Sequence, residues 1–354
     1  MNDIHDNHQK LRVGILFGGK SAEHEVSLQS AQNVLAALDK TRFDPVLLGV
    51  DKQGGWHLLE QPKLPIGNTP AVGFNPQLLE GVDVVFPLVH GPLGEDGSMQ
   101  GLLEIISIPY VGCGVLGSAI GMDKDVMKRL LRDAGIKVTD CHAFTEGQQR
   151  TIDVQSLVAE LGLPLFVKPA NMGSSVGVTK VDNKADLLAA INLAFRYDRK
   201  VLVERAVIGD EVECAVLGNE QLKVSVPGRI ACTTDFYSYE AKYLDRDNTV
   251  LEIPAKLAKQ VSQAAQATAL QAYKVLGCEG MARVDMFVTE RDDIVVNEIN
   301  TLPGFTKFSM YPQLWEASGL SYPDLITKLI LLALDRSQKR QKLLTTYVPT
   351  KPAL

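Results

Sequence analysis

The stretch VVNEINTLPG, residues 295–304, begins with the apolar pattern of a buried strand and then departs from it. In a strand, side chains two positions apart point to the same face, so Glu298 and Asn300 lie together on one face. Pro303 and Gly304 then end the strand. Because a buried carboxylate is costly unless it is paired, we expect a compensating cation at this face.

A second apolar strand, MARVDMFV at 281–288, carries a carboxylate that can meet the first one. If Val288 pairs with Val295 across the intervening loop, Asp285 lies opposite Glu298. A slip of one residue would put these two side chains on different faces. Two facing carboxylates repel each other unless a cation lies between them.

The same pairing puts Arg283 opposite Asn300. Oxygen ligands from Asp, Glu and Asn side chains favour Mg²⁺ or Mn²⁺ over zinc. We therefore predict a metal site at Asp285, Glu298 and Asn300, where the metal carries the phosphates of a nucleotide. The alternative interpretation is an ion pair between Asp285 and Arg283.

The composition limits the class of protein. The chain has 354 residues, so two or three domains are expected, and its net charge of −6 argues against a nucleic-acid partner. The polar start lacks the apolar core of a secretory signal, and the longest apolar run near the end is too short to span a bilayer. The 5 cysteines are scattered, which is typical of a reducing compartment. We expect a cytoplasmic protein without a membrane partner.

The strand and helix patterns divide the chain into three segments. Over residues 1–120, buried strands alternate with helical spacing, which predicts parallel βαβ units in a doubly wound α/β domain. Residues 121–205 and 206–354 mix strands and helices without regular alternation, so an α+β architecture is predicted there. The last segment contains a long irregular stretch at about 229–249.

Residues 14–21, GILFGGKS, satisfy the letter pattern of a P-loop. However, the positions that should form the phosphate cradle are Ile, Leu and Phe, which belong in the strand. Their backbone amides would pair within the sheet and would not bind phosphate. We reject a P-loop here, and a P-loop nucleotide hydrolase remains only a rival class.

Two polar loops follow strands of the first predicted sheet. They are SAEHEVS at 21–27, with Glu23, and HGPLGEDG at 90–97, with His90. Each loop alone is explained by helix-capping acids or by a structural histidine. Because ligands of open α/β sheets bind at the carboxyl ends of the strands, two such loops at one edge favour a pocket.

A third loop combines a strand-ending lysine with small residues. In FVKPANMGSSVGV, Lys168 ends a buried strand and the loop 173–177 follows. Gly and Ser let backbone amides approach an anion closely, and Lys adds a point charge for phosphate. The alternative is a flexible turn, which the Lys-Pro pair at the strand end disfavours.

Seven motifs resemble those of D-alanine–D-alanine ligases in order and spacing, over residues 11–335. They are SAEHEVS, LVHGPLGEDGS, MDKDVMKRLL, FVKPANMGSSVGV, YEAKY, MARVD and NEINTLPGF. Several also occur in the wider ATP-grasp superfamily, and SAEHEVS and YEAKY narrow the resemblance to this ligase. The resemblance implies an N-terminal doubly wound α/β domain followed by a two-domain ATP-grasp fold, with ATP held between the second and third segments.

The resemblance implies a role for each candidate residue. Two Mg²⁺ or Mn²⁺ ions would be bound by Asp285, Glu298, which bridges both, and Asn300. The lysines would meet phosphates, and the acids and the aromatic ring would meet ribose and adenine. The implied ATP-binding residues are Lys124, Lys168, Ser175, Glu204 (adenine edge), Glu211 (ribose), Lys242 and Phe287 (adenine face). One departure concerns adenine packing: Arg205-Ala206 stands where many relatives carry Lys and a large aromatic residue.

The resemblance also implies a substrate site. Glu23 would hold the ammonium of the first D-alanine, and a triad of Glu23, Ser174 and Tyr243 would connect the substrate loop to a lid at 229–249. Arg283 and the Gly304 amide would stabilise the tetrahedral intermediate. The other implied substrate-binding residues are His90 and Ser309, the latter at the second substrate's carboxylate.

The implied activity is ATP-dependent joining of two D-alanines through an acyl phosphate, with release of ADP and phosphate, for peptidoglycan precursor synthesis. A homodimer is also implied. Two alternatives stay open: a ligase of the same fold that joins D-alanine to D-lactate, and a nucleotide-binding module without turnover. YEAKY with Tyr243 resembles the dipeptide-forming members, and a degenerate module should have lost a metal ligand or Arg283.

Overall fold

The computed structural model of the chain describes residues 10–63, 73–232 and 249–346. Within these residues, three β-sheets form the framework, and each comes from a separate stretch of sequence. The elements of the first stretch are β1 (Leu11–Gly18), α1 (His24–Ala37), β2 (Phe43–Val50), β3 (Trp56–Leu59), β4 (Val84–Pro87), α2 (Ser98–Ile105) and α3 (Val115–Met122).

The first sheet has the strand order β3-β2-β1-β4, and β1 pairs in parallel with β2 and β4, as predicted. Its central strand is apolar on both faces because both are covered: Phe17 packs in one core cluster and Leu16 in another. Strand β3 pairs antiparallel at the edge. Residues 14–18 of the P-loop letter pattern lie inside β1, which agrees with the rejection of a phosphate cradle there.

The second sheet is antiparallel, with the order β5-β8-β6-β7. Val167 and Val203 face a core cluster shared with two helices, so their neighbours Lys168 and Glu204 project from the opposite face. The elements of this stretch are α4 (Lys124–Asp133), β5 (Cys141–Thr145), α5 (Val154–Leu161), β6 (Leu165–Pro169), β7 (Thr179–Val181), α6 (Lys184–Ala194) and β8 (Lys200–Arg205).

The third sheet has the order β12-β11-β9-β13-β14, with β10 paired to β9. One face packs on α7, and the other face carries the predicted acids. The elements of this stretch are β9 (Gly209–Leu217), β10 (Lys223–Val224), β11 (Gly228–Cys232), β12 (Thr249–Glu252), α7 (Lys259–Val275), β13 (Met281–Thr289), β14 (Ile294–Asn300), α8 (Met310–Ala317) and α9 (Tyr322–Gln341).

The predicted irregular stretch at 229–249 is only partly described. The expectation was wrong at its start, because β11 extends to Cys232 and pairs with β12. Residues 233–248, which include Lys242 and Tyr243, lie outside the described residues. The segment boundaries at 120 and 205 remain predictions.

The pairing of β13 with β14 confirms the predicted placement of the acids. Asp285 lies opposite Glu298, and Arg283 lies opposite Asn300. The expected pair of Val288 with Val295 was wrong, because the register shifts by one residue between Asp285 and Met286 and Val288 pairs with Ile294. A β-bulge of this kind re-aims side chains locally, so the predicted placement holds only on the carboxyl-terminal side of β14.

The first sheet and the C-terminal helices share one core. Phe305, which follows the TLPG turn, is fully buried and meets Phe86 of β4 edge to face, with ring centroids 5.4 Å apart. The same cluster contains residues of α8 and α9. In the described part of the chain no single helix is long and apolar enough to cross a membrane; α8 and α9 reach that length and composition only as a pair bent by 106°.

We predict that Phe305→Ala lowers the free energy of unfolding by about 3–5 kcal/mol, because it leaves a cavity between the first sheet and the C-terminal helices. Urea unfolding followed by tryptophan fluorescence measures the change. Phe308→Ala, at a side chain that is 55% exposed, is the matched control and should change stability much less. Equal losses in both variants would contradict a core role for Phe305.

Candidate active site

A cavity of about 400 Å³ lies between loops of the first sheet, the loop after β6 and the acid-bearing face of the third sheet. Its wall includes nine of the residues predicted from sequence: Glu23, His90, Lys124, Ser174, Arg283, Glu298, Asn300, Gly304 and Ser309. Other predicted residues, including Lys168 and Glu204, lie beyond this wall.

The loop after β6 rests directly on the loop after β1. The Ser174 hydroxyl donates a hydrogen bond to the Glu23 carboxylate. A Cβ at Gly173 would come within 3.3 Å of Glu23 Oε2, so the glycine permits this close approach. Ser174 and Ser175 both have positive φ, 51° and 58°, which turns the backbone sharply at the predicted phosphate loop.

His90 is buried where three parts of the chain meet. Its Nε2 lies 3.1 Å from Ser30 Oγ of α1, and its Nδ1 lies 3.2 Å from the Leu302 carbonyl oxygen. Nδ1 is also 3.6 Å from Glu95 Oε1. Burial lowers the pKa of His90, but the Glu95 carboxylate, Glu23 and the Leu302 carbonyl together raise it, so the pKa is raised overall. His90 therefore joins the first sheet to the TLPG turn as well as lining the cavity.

The ion pair between Arg283 and Asp285 is present in the structure. Arg283 Nε and Nη2 each donate to one Asp285 oxygen at 2.7 Å. Opposite Asp285, Glu298 Oε2 lies 3.1 Å from Lys124 Nζ. Two neighbouring acids are thus each paired with a cation of the protein, and for Asp285 this is the ion pair that the sequence analysis gave as the alternative to a metal.

This ion pair does not remove the donor set for a metal. A carboxylate has about four lone-pair sites, so Asp285 can accept from Arg283 and still offer an oxygen. No cluster of three or more His, Cys, Asp or Glu suited to a metal occurs among residues 10–63, 73–232 and 249–346. Magnesium typically takes one or two carboxylates and completes its shell with phosphates and water, so Asp285, Glu298 and Asn300 fit it.

Glu213 is a site residue that the sequence analysis missed. It lies on β9 directly across from Asp285, lines the cavity, and has its Oε2 2.8 Å from Arg283 Nε. Burial opposes the charge of Arg283, but Asp285 and Glu213 raise its pKa, so it stays a cation. The signal was available: Glu211 and Glu213 are two positions apart and share a strand face.

A second buried cluster lies on the second sheet. Glu204 Oε2 is 2.6 Å from Lys168 Nζ, and Glu204 Oε1 is 3.2 Å from Lys128 Nζ. Lys168 also donates to Asn297 Oδ1 of the third sheet at 3.2 Å. Lys128 was not predicted, although it lies four residues after Lys124 on α4, a spacing that puts both side chains on one helix face.

Glu211 and Phe287, also predicted from the sequence, lie on the third sheet, and Ser309 lies in the loop that follows it. Phe287 pairs across the strands with Glu211, on the face that carries Asp285. Ser309 Oγ accepts a hydrogen bond from Thr306 N at 3.0 Å, and a Cβ at Gly304 would come within 2.8 Å of it. The turn therefore needs glycine at 304 to keep Ser309 beside the cavity.

Two protein-family models match most of the chain. The model described as "D-ala D-ala ligase N-terminus" matches residues 12–113, and the one described as "D-ala D-ala ligase C-terminus" matches residues 130–331. The chain belongs to the D-alanine–D-alanine ligase family. The ligase from Oceanobacillus iheyensis is 54% identical over 94% of this chain and 98% of that relative.

Two solved ligase structures are similar over nearly the whole length. The D-alanine–D-alanine ligase from Coxiella burnetii has a TM-score of 0.81 and 38% identity, covering 94% of this chain and 96% of that one. The VanG D-Ala:D-Ser ligase from Enterococcus faecalis has a TM-score of 0.80 and 37% identity, covering 92% and 100%. The ATP-grasp fold expected from the sequence is confirmed.

We predict that His90 stabilises the ligase more at acidic than at alkaline pH. A histidine whose pKa is raised in the folded state stabilises the fold through its protonated form. That stability is complete below the unfolded-state pKa of about 6.5 and is lost as the pH rises through the folded-state value. The difference in thermal midpoint between wild type and His90→Gln, measured from about pH 5 to about pH 9, should therefore shrink as the pH rises.

His142→Gln is the control for this measurement, because His142 is partly exposed and pairs with Glu160 outside the cavity. If the difference in thermal midpoint between wild type and His90→Gln grew with pH, His90 would not stabilise the fold through its protonated form.

Proposed function

We propose that the chain joins two molecules of D-alanine into D-alanyl-D-alanine, with conversion of ATP to ADP and phosphate. The observation that carries this proposal is that Glu23, Ser174 and Arg283 line one cavity together with Lys124, Glu213 and Glu298. An acid for the substrate ammonium, cations for phosphate and a guanidinium for an oxyanion are the groups this reaction requires.

The first D-alanine is held by Glu23. Its carboxylate faces the cavity and accepts from Ser174, so its position is fixed by the loop that follows β6. A carboxylate has about four lone-pair sites, so Glu23 can accept from Ser174 and also from the ammonium group of the substrate. The carboxylate of the same substrate then points toward the lysines, where it must be activated.

Activation transfers the terminal phosphoryl group of ATP to that carboxylate and gives an acyl phosphate and ADP. Both reactants are anionic, so transfer depends on cations that neutralise them. Lys124 is held by the Met172 carbonyl at 2.9 Å, directly before the phosphate loop at 173–177. Asp285, Glu298 and Asn300 would hold Mg²⁺, which supplies charge neutralisation when bound.

The second step is attack of the second D-alanine's amine on the acyl phosphate. The carbon–nitrogen bond forms, a tetrahedral oxyanion develops, and phosphate leaves. Arg283 lines the cavity and forms ion pairs with Asp285 and Glu213. These contacts hold its guanidinium in place for the developing oxyanion. The Gly304 amide is its partner, and Ser309 receives the carboxylate of the second substrate.

The apolar part of the wall suits a small side chain. Ile230 of β11 and Leu251 of β12 pair with each other and line the cavity, together with Val26 and Met310. The lid expected at about 229–249 would exclude water from the acyl phosphate, with Lys242 at the phosphates and Tyr243 in the triad. We also propose that the enzyme works in the cytoplasm and as a homodimer.

The identity of the second substrate is tested by competition. The purified enzyme is given ATP, Mg²⁺ and D-alanine, alone and with equal amounts of D-lactate or D-serine, and phosphate release and the products are measured. We expect D-alanyl-D-alanine as the main product at and above neutral pH, because the attacking amine must be deprotonated. D-serine is included because one similar structure is a D-Ala:D-Ser ligase. A mixed product in excess at neutral pH would overturn the substrate assignment, and no phosphate release would support a non-catalytic module.

We predict that Arg283→Ala lowers kcat by about 10²–10³-fold, with a smaller effect on KM for ATP, because an oxyanion donor acts only in the transition state. Steady-state phosphate release measures both constants. Since the variant leaves Asp285 and Glu213 without their cation, a thermal scan must show that it is folded, and Arg283→Lys provides a milder second variant. An effect on KM alone would assign Arg283 to ground-state binding.

A further inference from the structure

Lys128 carries a buried charge that the proposed reaction does not use. Lys128 is fully buried on α4, and its ammonium lies 3.2 Å from Glu204 Oε1. Burying a lysine is costly, and burial lowers the pKa of Lys128 although Glu204 opposes the shift. A lysine in this position needs a reason other than packing, since an apolar side chain of similar length would avoid the cost.

Two lysines, Lys128 and Lys168, are paired with Glu204. The proposed reaction needs only Lys168 at another place, next to phosphate. Lys168 binds the other Glu204 oxygen at 2.6 Å and also reaches Asn297 across the gap between the second and third sheets. When phosphate enters that gap, Lys168 has a competing anion. Lys128 is enclosed behind Glu204 and remains its partner.

We propose that Lys128 is a positioning residue that keeps the Glu204 carboxylate charged and aimed at the edge of the nucleotide base after Lys168 has turned to phosphate. The proposal rests on the proposed function, in which Glu204 meets the adenine edge. It makes Lys128 a determinant of which purine the enzyme accepts.

Adenine and hypoxanthine differ in the group that they would present to Glu204. A charged carboxylate accepts a hydrogen bond from the exocyclic amino group of adenine, and it repels the carbonyl oxygen that hypoxanthine carries at the same position. Without a cation behind it, a buried acid takes up a proton and can donate to that oxygen. A carboxylate that stays charged can only accept a hydrogen bond, so it discriminates strongly against hypoxanthine. A carboxyl group that can take up a proton can also donate, so it discriminates much less.

The experiment compares the affinities for ADP and inosine diphosphate by calorimetry, with Mg²⁺ present, in wild type, Lys128→Met and Lys128→Gln. Wild type should prefer ADP, and loss of the Lys128 charge should reduce that preference by about 10–100-fold, the value of a hydrogen bond to a charged group. A folded variant whose preference stays within about twofold of wild type would overturn the proposal.

The matched control is Lys200→Met. Lys200 is also a lysine with acid partners at α4, 2.7 Å from Asp123, which caps the helix, and 3.2 Å from Asp125 in its first turn. It should leave the preference for ADP unchanged. A loss equal to that of Lys128→Met would mean that any disturbance of α4 alters base preference, and the proposal would fail.

A second comparison separates action through Glu204 from a general structural role. In a Glu204→Gln background, adding Lys128→Met should change the preference no further, because the group through which Lys128 acts has gone. This double variant removes Lys128 together with the acid that it pairs with, and Lys168 keeps its hydrogen bond to Asn297, so it can fold where Lys128→Met does not. A further loss in that background would overturn the proposal.

The binding experiment is independent of turnover. If wild type releases no phosphate with D-alanine, the proposed function fails, while the preference for ADP and its dependence on Lys128 can still be measured.

Discussion

The structure depends on charge compensation at one face of the third sheet. Glu213, Asp285 and Glu298 are adjacent carboxylates in the register of β9, β13 and β14. Three acids so close would repel each other strongly if they were left alone. Arg283 compensates two of them from within the sheet, and Lys124 of α4 compensates the third. The second cation comes from another part of the chain, so the acids attach α4 to this sheet.

The end of β14 makes the other attachment. The TLPG turn offers the Leu302 carbonyl to His90, and Phe305 N donates to Ser30 Oγ of α1 at 3.2 Å. Phe305 then enters the core shared with the first sheet. One short stretch therefore supplies Glu298 and Asn300 to the cavity and fixes the first-sheet loops that carry Glu23 and His90 against it. The stretch from Glu298 to Phe305 therefore both contributes side chains to the cavity and holds the loop that we propose binds the first substrate.

Much of this arrangement follows from side-chain periodicity. A period of two assigns Glu298, Asn300, Arg283 and Asp285 to one face, because the alternation of a strand is fixed by its backbone. The bulge after Asp285 could not be predicted, since one unpaired residue leaves no mark in the apolar pattern. Strand periodicity also does not separate the metal predicted at Asp285 from the ion pair with Arg283, because one carboxylate has enough lone pairs for both partners.

Helix α4 explains why two lysines four positions apart serve different acids. Lys124 reaches Glu298 of the third sheet, and Lys128 reaches Glu204 of the second. Lys168 also connects these two sheets, through Glu204 and Asn297. Phosphate between the sheets would draw Lys124 and Lys168 away from their acids and would free Glu298 for a metal. When Lys168 moves to phosphate, Lys128 is the cation that stays beside Glu204, because it is buried there. In the proposed reaction, α4 would therefore present Lys124 to phosphate while Lys128 stays paired with Glu204.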